Sequence, residues 1–250
     1  MPLWYTLPNT ITSPLQIDGL IGWYNSNSAE FGANNFLIRW NDLSSCKNDL
    51  VPYNSNIRND FLFNNTVLTN ESPLNLDKIS SGATVFIVGD LNNTFNTFNT
   101  SFYVSLFTNI FENNTQIDDL RIITKSNILQ VGSSQLRGAG VRNNGIALVN
   151  AICFNSNYNN GTHTYSAAGY INNSNVTKSI SPLNITTDSA NKFNVFIGDN
   201  SNATRLDNGI NAQIFEILLY NKVLVENDIN FINNYLATKH AIILNNNFVY

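Results

Sequence analysis

The sequence predicts an all-β protein, two antiparallel sheets packed face to face, with a single helix near the C-terminus. Three observations carry this. Short runs rich in β-branched and aromatic residues recur along the chain, as strands require. Paired asparagines punctuate them, and asparagine suits turns because it tolerates left-handed backbone angles and bonds to its own main chain. One segment, ENDINFINNYLATKH at 226–240, changes its apolar period from that of a strand to that of a helix.

In chain order the strand runs are GLIGWY (19–24), FLIRW (36–40), ATVFIVGD (83–90), SFYVSLF (101–107), LRIIT (120–124), GIALVNAICF (145–154), HTYSAAGYI (163–171), KFNVFIGD (192–199) and AQIFEILLY (212–220). Asn34-Asn35, Asn64-Asn65, Asn92-Asn93, Asn113-Asn114 and Asn172-Asn173 mark turns between them. Asn144-Gly145 and Asn160-Gly161 are the sharpest hairpin signals. The run AQIFEILLY is apolar on both faces, which predicts a central strand covered on both sides. Glu216 is its only acid, and simple alternation sets it on the face of Ile214 and Leu218. In the helix, Ile229, Ile232 and Leu236 follow i, i+3, i+7, and Phe231 meets Tyr235 at i+4. Glu226 and Asp228 in the first turn, with Lys239 and His240 in the last, suit the helix dipole. Residues 1–18, with Pro2, Pro8 and Pro14, read as an N-terminal arm, 19–242 as the domain and 243–250 as a tail. Such arms are candidates for contacts with neighbouring subunits.

The composition sets limits on function. The chain has 250 residues, enough for one large sandwich. Charged residues are 12%, about half the usual share. In their place stand 47 asparagines, so the surface is solvated by neutral hydrogen bonds. With 16 Phe, 10 Tyr and 3 Trp, the chain is too aromatic for a disordered segment. The net charge is −4 and the basic residues are scattered, so nucleic acid is not an expected partner. No apolar run approaches the roughly 20 residues of a membrane helix, and no membrane insertion is expected. The opening MPLWYTLPNT is not read as a secretory signal. A neutral polar surface without a leader suggests a protein released by assembly or lysis and placed on a virion surface or outside cells. Cys46 and Cys153 read as free thiols, although one bridge between them would close a long loop. Ten N-x-S/T sequons, the first at Asn64, are close to what the asparagine content yields by chance.

Two segments resemble the concanavalin A-like, laminin-G-like jelly-roll modules. The first matches at Gly19, Leu20, Trp23, Tyr24, Trp40, Asp42, Ser44, Asn48, Asp49 and Leu50, with Ser45 where those modules carry glycine. The second matches at Glu216, Ile217, Leu218, Tyr220, Asn221, Leu224, Tyr235, Leu236 and Lys239. Val225 stands where a helix-capping serine or threonine is usual, which moves the expected cap to Asn227. The resemblance implies a two-sheet jelly roll in which Trp23, Trp40, Glu216 and Tyr220 are motif residues. That group of modules includes lectins, glycan-binding modules, adhesion domains and structural proteins of phages and large DNA viruses.

The chemistry-bearing residues are few. Catalytic members of the wider fold carry paired glutamates on one strand face. Glu216 has no such partner in its strand and reads as a buried acceptor holding a loop or the helix, so no enzyme is expected. Cys153 and His163 are a formal Cys-His pair with no recognisable oxyanion or orienting group. Asp42, Asn48 and Asp49 are candidate calcium ligands, and an Asx-type turn is the plainer account of them. Asp90 and Asn92, and Asp199 and Asn200, end strands with acid and amide groups of the kind that hold calcium or sugar hydroxyls in lectin-like loops, although plain loop solvation is the favoured account. Tyr158, Tyr165 and Tyr170 offer aromatic faces, or else pack in the core. The reading is a non-catalytic lectin-like module on a virion, with glycans or a host receptor and neighbouring virion subunits as partners. Its alternatives are a purely structural capsid or fibre subunit, and a glycoside hydrolase with an atypical acid pair.

Overall fold

The computed structural model describes residues 11–33, 37–54, 62–64, 67–70, 74–75, 82–90, 101–105, 121–125, 128–132, 146–159, 162–175, 183–186, 192–193, 196–197 and 211–245. The strands of the first third are β1 (Leu20–Asn25), β2 (Ala29–Phe31), β3 (Leu37–Trp40), β4 (Leu50–Asn54), β5 (Leu62–Asn64), β6 (Val67–Asn70), β7 (Leu74–Asn75) and β8 (Gly82–Asp90). Then come β9 (Ser101–Ser105), β10 (Arg121–Lys125), β11 (Ile128–Gly132), β12 (Ile146–Asn159), β13 (Thr162–Ile171) and β14 (Ser174–Asn175). The last are β15 (Leu183–Thr186), β16 (Lys192–Phe193), β17 (Phe196–Ile197) and β18 (Asn211–Tyr220), followed by α1 (Glu226–His240).

These strands form two antiparallel sheets and a small ribbon, so the all-β two-sheet class holds. The first sheet runs β1-β18-β8-β12-β13-β14, with β15 beside β13 and β5 beside β18. The second runs β11-β10-β9-β17-β6-β4-β3-β2, and β16 pairs β7 separately. β18 lies between β1 and β8, as its two-sided apolar sequence requires. Pairing of β12 with β13 reaches Asn159 and Thr162, on either side of Asn160-Gly161. Asn172 and Asn173 take φ of 47° and 68° in the turn between β13 and β14, the left-handed pair a two-residue hairpin needs. The run at 192–199 is not one strand: Lys192–Phe193 joins β7, while Phe196–Ile197 joins β6 and β9. Asn144-Gly145 lies outside the described residues.

The first sheet is covered on both faces. On one, Phe86, Val88, Leu148, Ile152, Leu218 and Tyr220 meet Ile229, Ile232 and Leu236 of α1. Those three helix residues are fully buried, worth about 1.5–3 kcal/mol each in apolar transfer. On the other face Val85, Ile87, Val149 and Ile217 are equally buried. There Tyr24 of β1 meets Trp40 of β3 with ring centroids 5.9 Å apart, joining the two sheets.

One local expectation, the position of the helix cap, is corrected. The helix begins at Glu226, its N-cap residue Val225 makes no side-chain cap bond, and Asn227 sits inside the first turn. At its other end Ala241 adopts φ 52°, ψ 41°, and Ile242 N–H donates to Ala237 O at 2.8 Å. The described part of the expected N-terminal arm is docked: Ile17 is in the core, and the Tyr220 hydroxyl donates to Pro14 O at 3.2 Å. The tail is docked through Asn245, whose N–H donates to Asn172 O at 3.0 Å and whose amide donates to Ser174 Oγ at 2.8 Å. Among the described residues no helix is long and apolar enough to cross a membrane.

Candidate functional site

Among the described residues two buried carboxylates, Asp42 and Glu216, organise the structure. Glu216 is fully buried. Alternation with Leu218 and Tyr220 sets it on the helix side, next to a β-bulge: β18 shifts register against β8 between Ile214 and Glu216. Adjacent residues Phe215 and Glu216 therefore both reach the helix. The Phe215 ring lies 6.2 Å from the His240 ring, and Glu216 bonds to the same histidine. This corrects the simple alternation, because Ile214 is buried outside the cluster that Leu218 and Tyr220 share with α1.

Glu216 Oε1 accepts from Trp23 Nε1 at 2.7 Å and Lys239 Nζ at 2.9 Å. Its Oε2 meets His240 Nε2 at 2.7 Å and Lys239 Nζ at 2.8 Å. Burial alone raises the carboxyl's pKa, but the bonds from His240, Lys239 and Trp23 outweigh it and hold it below the usual range. The carboxylate thus stays charged at neutral pH and anchors the last turn of α1. Around it Tyr235 stands edge-on to Trp23 at 6.4 Å, and the Lys239 ammonium lies 5.8 Å from the Tyr235 ring centroid.

Asp42 is the second node, 1% exposed. Oδ1 accepts from Trp23 N–H and Ser44 N–H, each at 2.8 Å. Oδ2 accepts from Ser44 Oγ at 2.6 Å and Asn48 N–H at 2.9 Å. Asp49 accepts from Asp42 N–H at 2.9 Å and from Arg39 at 3.2 Å. All four lone-pair positions of the Asp42 carboxylate face hydrogen-bond donors, which leaves none for a cation. At Asp42, Asn48 and Asp49 the hydrogen bonds form an Asx-type loop clamp, the plainer of the two accounts their spacing allows. Lys47, at φ 55°, lets the chain turn within it. Trp23 joins the nodes, backbone to Asp42 and indole to Glu216. That junction is where the two motif segments, nearly two hundred residues apart, become one structure.

The remaining motif residues are structural. Trp40 is fully buried and donates through Nε1 to Asn25 O at 2.7 Å. Tyr220 packs edge-on to Phe86 at 6.0 Å. Gly19 adopts φ 92° and accepts from Asn221 N–H at 2.8 Å; a Cβ there would meet the Asn221 side chain at 2.7 Å.

Among the described residues, the sequence-predicted ligand residues do not form one group. Asp90 ends β8 opposite Ile146. Tyr158 sits near the far end of β12 opposite His163, and Tyr165 pairs with Asn155 and Leu183. From Ile146 to Tyr158 is twelve residues of strand, about 40 Å. Tyr170 is a core residue, 3% exposed. Asn92, Asp199 and Asn200 lie outside the described residues. Cys153 pairs with Ala167, four residues from His163, so the register keeps that pair about 13 Å apart. Cys46 is a free thiol.

The roles of Lys239 and His240 as partners of Glu216 were missed by sequence reasoning, which assigned both to the helix dipole. The signal was available: a lone acid in an apolar strand demands donors, and Lys-His is the nearest basic pair downstream.

The fold is similar to that of Trypanosoma rangeli sialidase, at 12% identity and TM-score 0.57, over 94% of this chain and 35% of that one. The same sialidase in complex with sialic acid gives 11% identity and TM-score 0.53 over 93% and 35%. As a covalent intermediate with 2,3-difluorosialic acid it gives 12% and 0.56 over 92% and 36%. The chain thus spans about a third of the length of these structures. No family model matches the chain, and no curated protein does. At such identity the likeness defines the class, a two-sheet antiparallel β-sandwich.

Proposed function

We propose that this chain is a non-catalytic, concanavalin A-like module that recognises glycans, displayed on a virion surface or outside cells. One observation carries the reading: the sandwich, over 94% of its length, is similar to part of a sialidase that was also solved with sialic acid. The non-catalytic half draws support from the two buried carboxylates. Each is saturated by donors, so neither is free to take a proton from or attack a sugar. The candidate contact residues are Tyr158 of β12 and Tyr165 of β13, of a residue type that stacks on sugar rings.

The test is a glycan array including sialosides, with and without chelator, followed by titration calorimetry on any hit. Saturable binding unaffected by chelator supports the reading, as does loss of that binding in Tyr158→Ala or Tyr165→Ala. Silence across the array, with ordered assembly of the purified protein, replaces it with a structural subunit. Release of free sugar from the same panel replaces it with a hydrolase.

A further inference from the structure

β1 is the end strand of the first sheet. β18 pairs along one side, and among the described residues no strand pairs along the other. An open strand edge is a template for another chain. Proteins commonly blunt such edges with lysine or proline, yet LIGWYN contains neither and carries no charge. Its outward backbone groups are instead taken one by one. Ile21 O accepts from Asn48 Nδ2 at 2.6 Å. Trp23 N–H donates to Asp42 Oδ1, and Trp23 O accepts from Leu43 N–H, both at 2.8 Å. Asn25 N–H donates to Ser28 Oγ at 3.2 Å, and Asn25 O accepts from Trp40 Nε1 at 2.7 Å. Those five groups alternate along β1 as a neighbouring strand would use them. Four of their five partners are side chains.

We propose that the segment Trp40–Asn48 is a strap that closes the β1 edge against strand addition, and that a loosened strap lets β1 of a second copy pair with β1. Asp42 holds the strap, since the carboxylate that meets Trp23 also ties Ser44 and Asn48. A second copy is the fitting occupant. An antiparallel β1–β1 pair is isologous, needs no sequence but its own, and meets no like charge. A bent strap covers the row of polar groups but offers no strand edge of its own, so the sheet ends there.

The test uses Asp42→Ala and the milder Ser28→Ala/Asn48→Ala double variant in the full chain. Amide hydrogen exchange is read at Trp23 and Asn25. Association is read by sedimentation velocity over a range of concentrations, and by binding of a labelled Leu20–Asn25 hexapeptide. The expected result is exchange at these amides faster by about tenfold or more, the equivalent of one lost hydrogen bond. It should come with concentration-dependent association and peptide binding that the wild-type chain lacks. Rapid exchange with wild-type sedimentation and no peptide binding overturns the proposal. Unchanged protection in both variants overturns it too, because something else then covers the edge. If Asp42→Ala does not fold, the double variant, which frees Asn25 N–H and Ile21 O, decides between these outcomes by exchange at Asn25, sedimentation and peptide binding.

Discussion

Replacing Glu216 by glutamine isolates what the buried carboxylate contributes. The substitution keeps size and hydrogen-bonding arms but removes the charge and turns one acceptor oxygen into a donor. Glu216 meets donors at both oxygens, so the new amide nitrogen must face Trp23 Nε1 and Lys239 Nζ, or His240 and Lys239. Breaking a fully buried pair costs about 3–5 kcal/mol. The Lys239 side chain is 32% exposed and can turn to water, which reduces the expected loss to about 2–3 kcal/mol. For a chain of this length that lowers Tm by about 4–12 °C. Thermal and urea unfolding at neutral pH measure it, with hydrogen exchange in α1 reporting whether its last turn loosens first. The pH dependence adds a second reading. The folded carboxyl is held below its ordinary value, so the unfolded chain takes the proton first. The Glu216 contribution is therefore complete above the ordinary glutamate range and is lost as pH falls through the folded value. Wild-type stability should drop across that acid window, and the drop should be smaller in Glu216→Gln. A loss under about 1 kcal/mol, the range of surface pairs, together with an unchanged acid profile, would refute the reasoning.

Leu236 is fully buried between α1 and the first sheet, and Leu236→Ala should cost about 2–5 kcal/mol in urea unfolding. Ala241 holds a left-handed conformation costing about 1–2 kcal/mol for an L-residue, partly offset in glycine by its looser unfolded chain. Ala241→Gly should therefore raise stability by about 0.5 kcal/mol; a lower Tm would show that the cap is unstrained. Asn150 is 2% exposed and neither amide atom has a hydrogen-bond partner. Asn150→Leu should be neutral or stabilising by about 1–2 kcal/mol, and destabilisation would show that the amide is satisfied after all.

The sequence by itself determined what depends on neighbours along the chain. The strand at Asn211–Tyr220 and the helix at Glu226–His240 were legible because their periods differ, and a period is a local property of side-chain spacing. The central place of β18 was legible because both of its faces are apolar. Several short strands were not. Leu50–Asn54 carries Pro52, which argues against a strand, but the structure seats it beside a register shift.

Only the tertiary structure decided which groups meet. One bulge at Phe215–Glu216 turned Ile214 away from the helix side and Phe215 toward it, while the acid keeps the alternation of Leu218 and Tyr220; no alternation rule counts an inserted residue. Register separated Asp90 from Tyr158, two of the candidate ligand residues. Asp42 could be read from its spacing as metal ligand or turn, because oxygen-rich spacing is common to both. What distinguishes them is whether the lone pairs face donors, and the Trp23 N–H that completes the set comes from nineteen residues away. Spacing in sequence states which atoms are available; three-dimensional convergence states which are already taken.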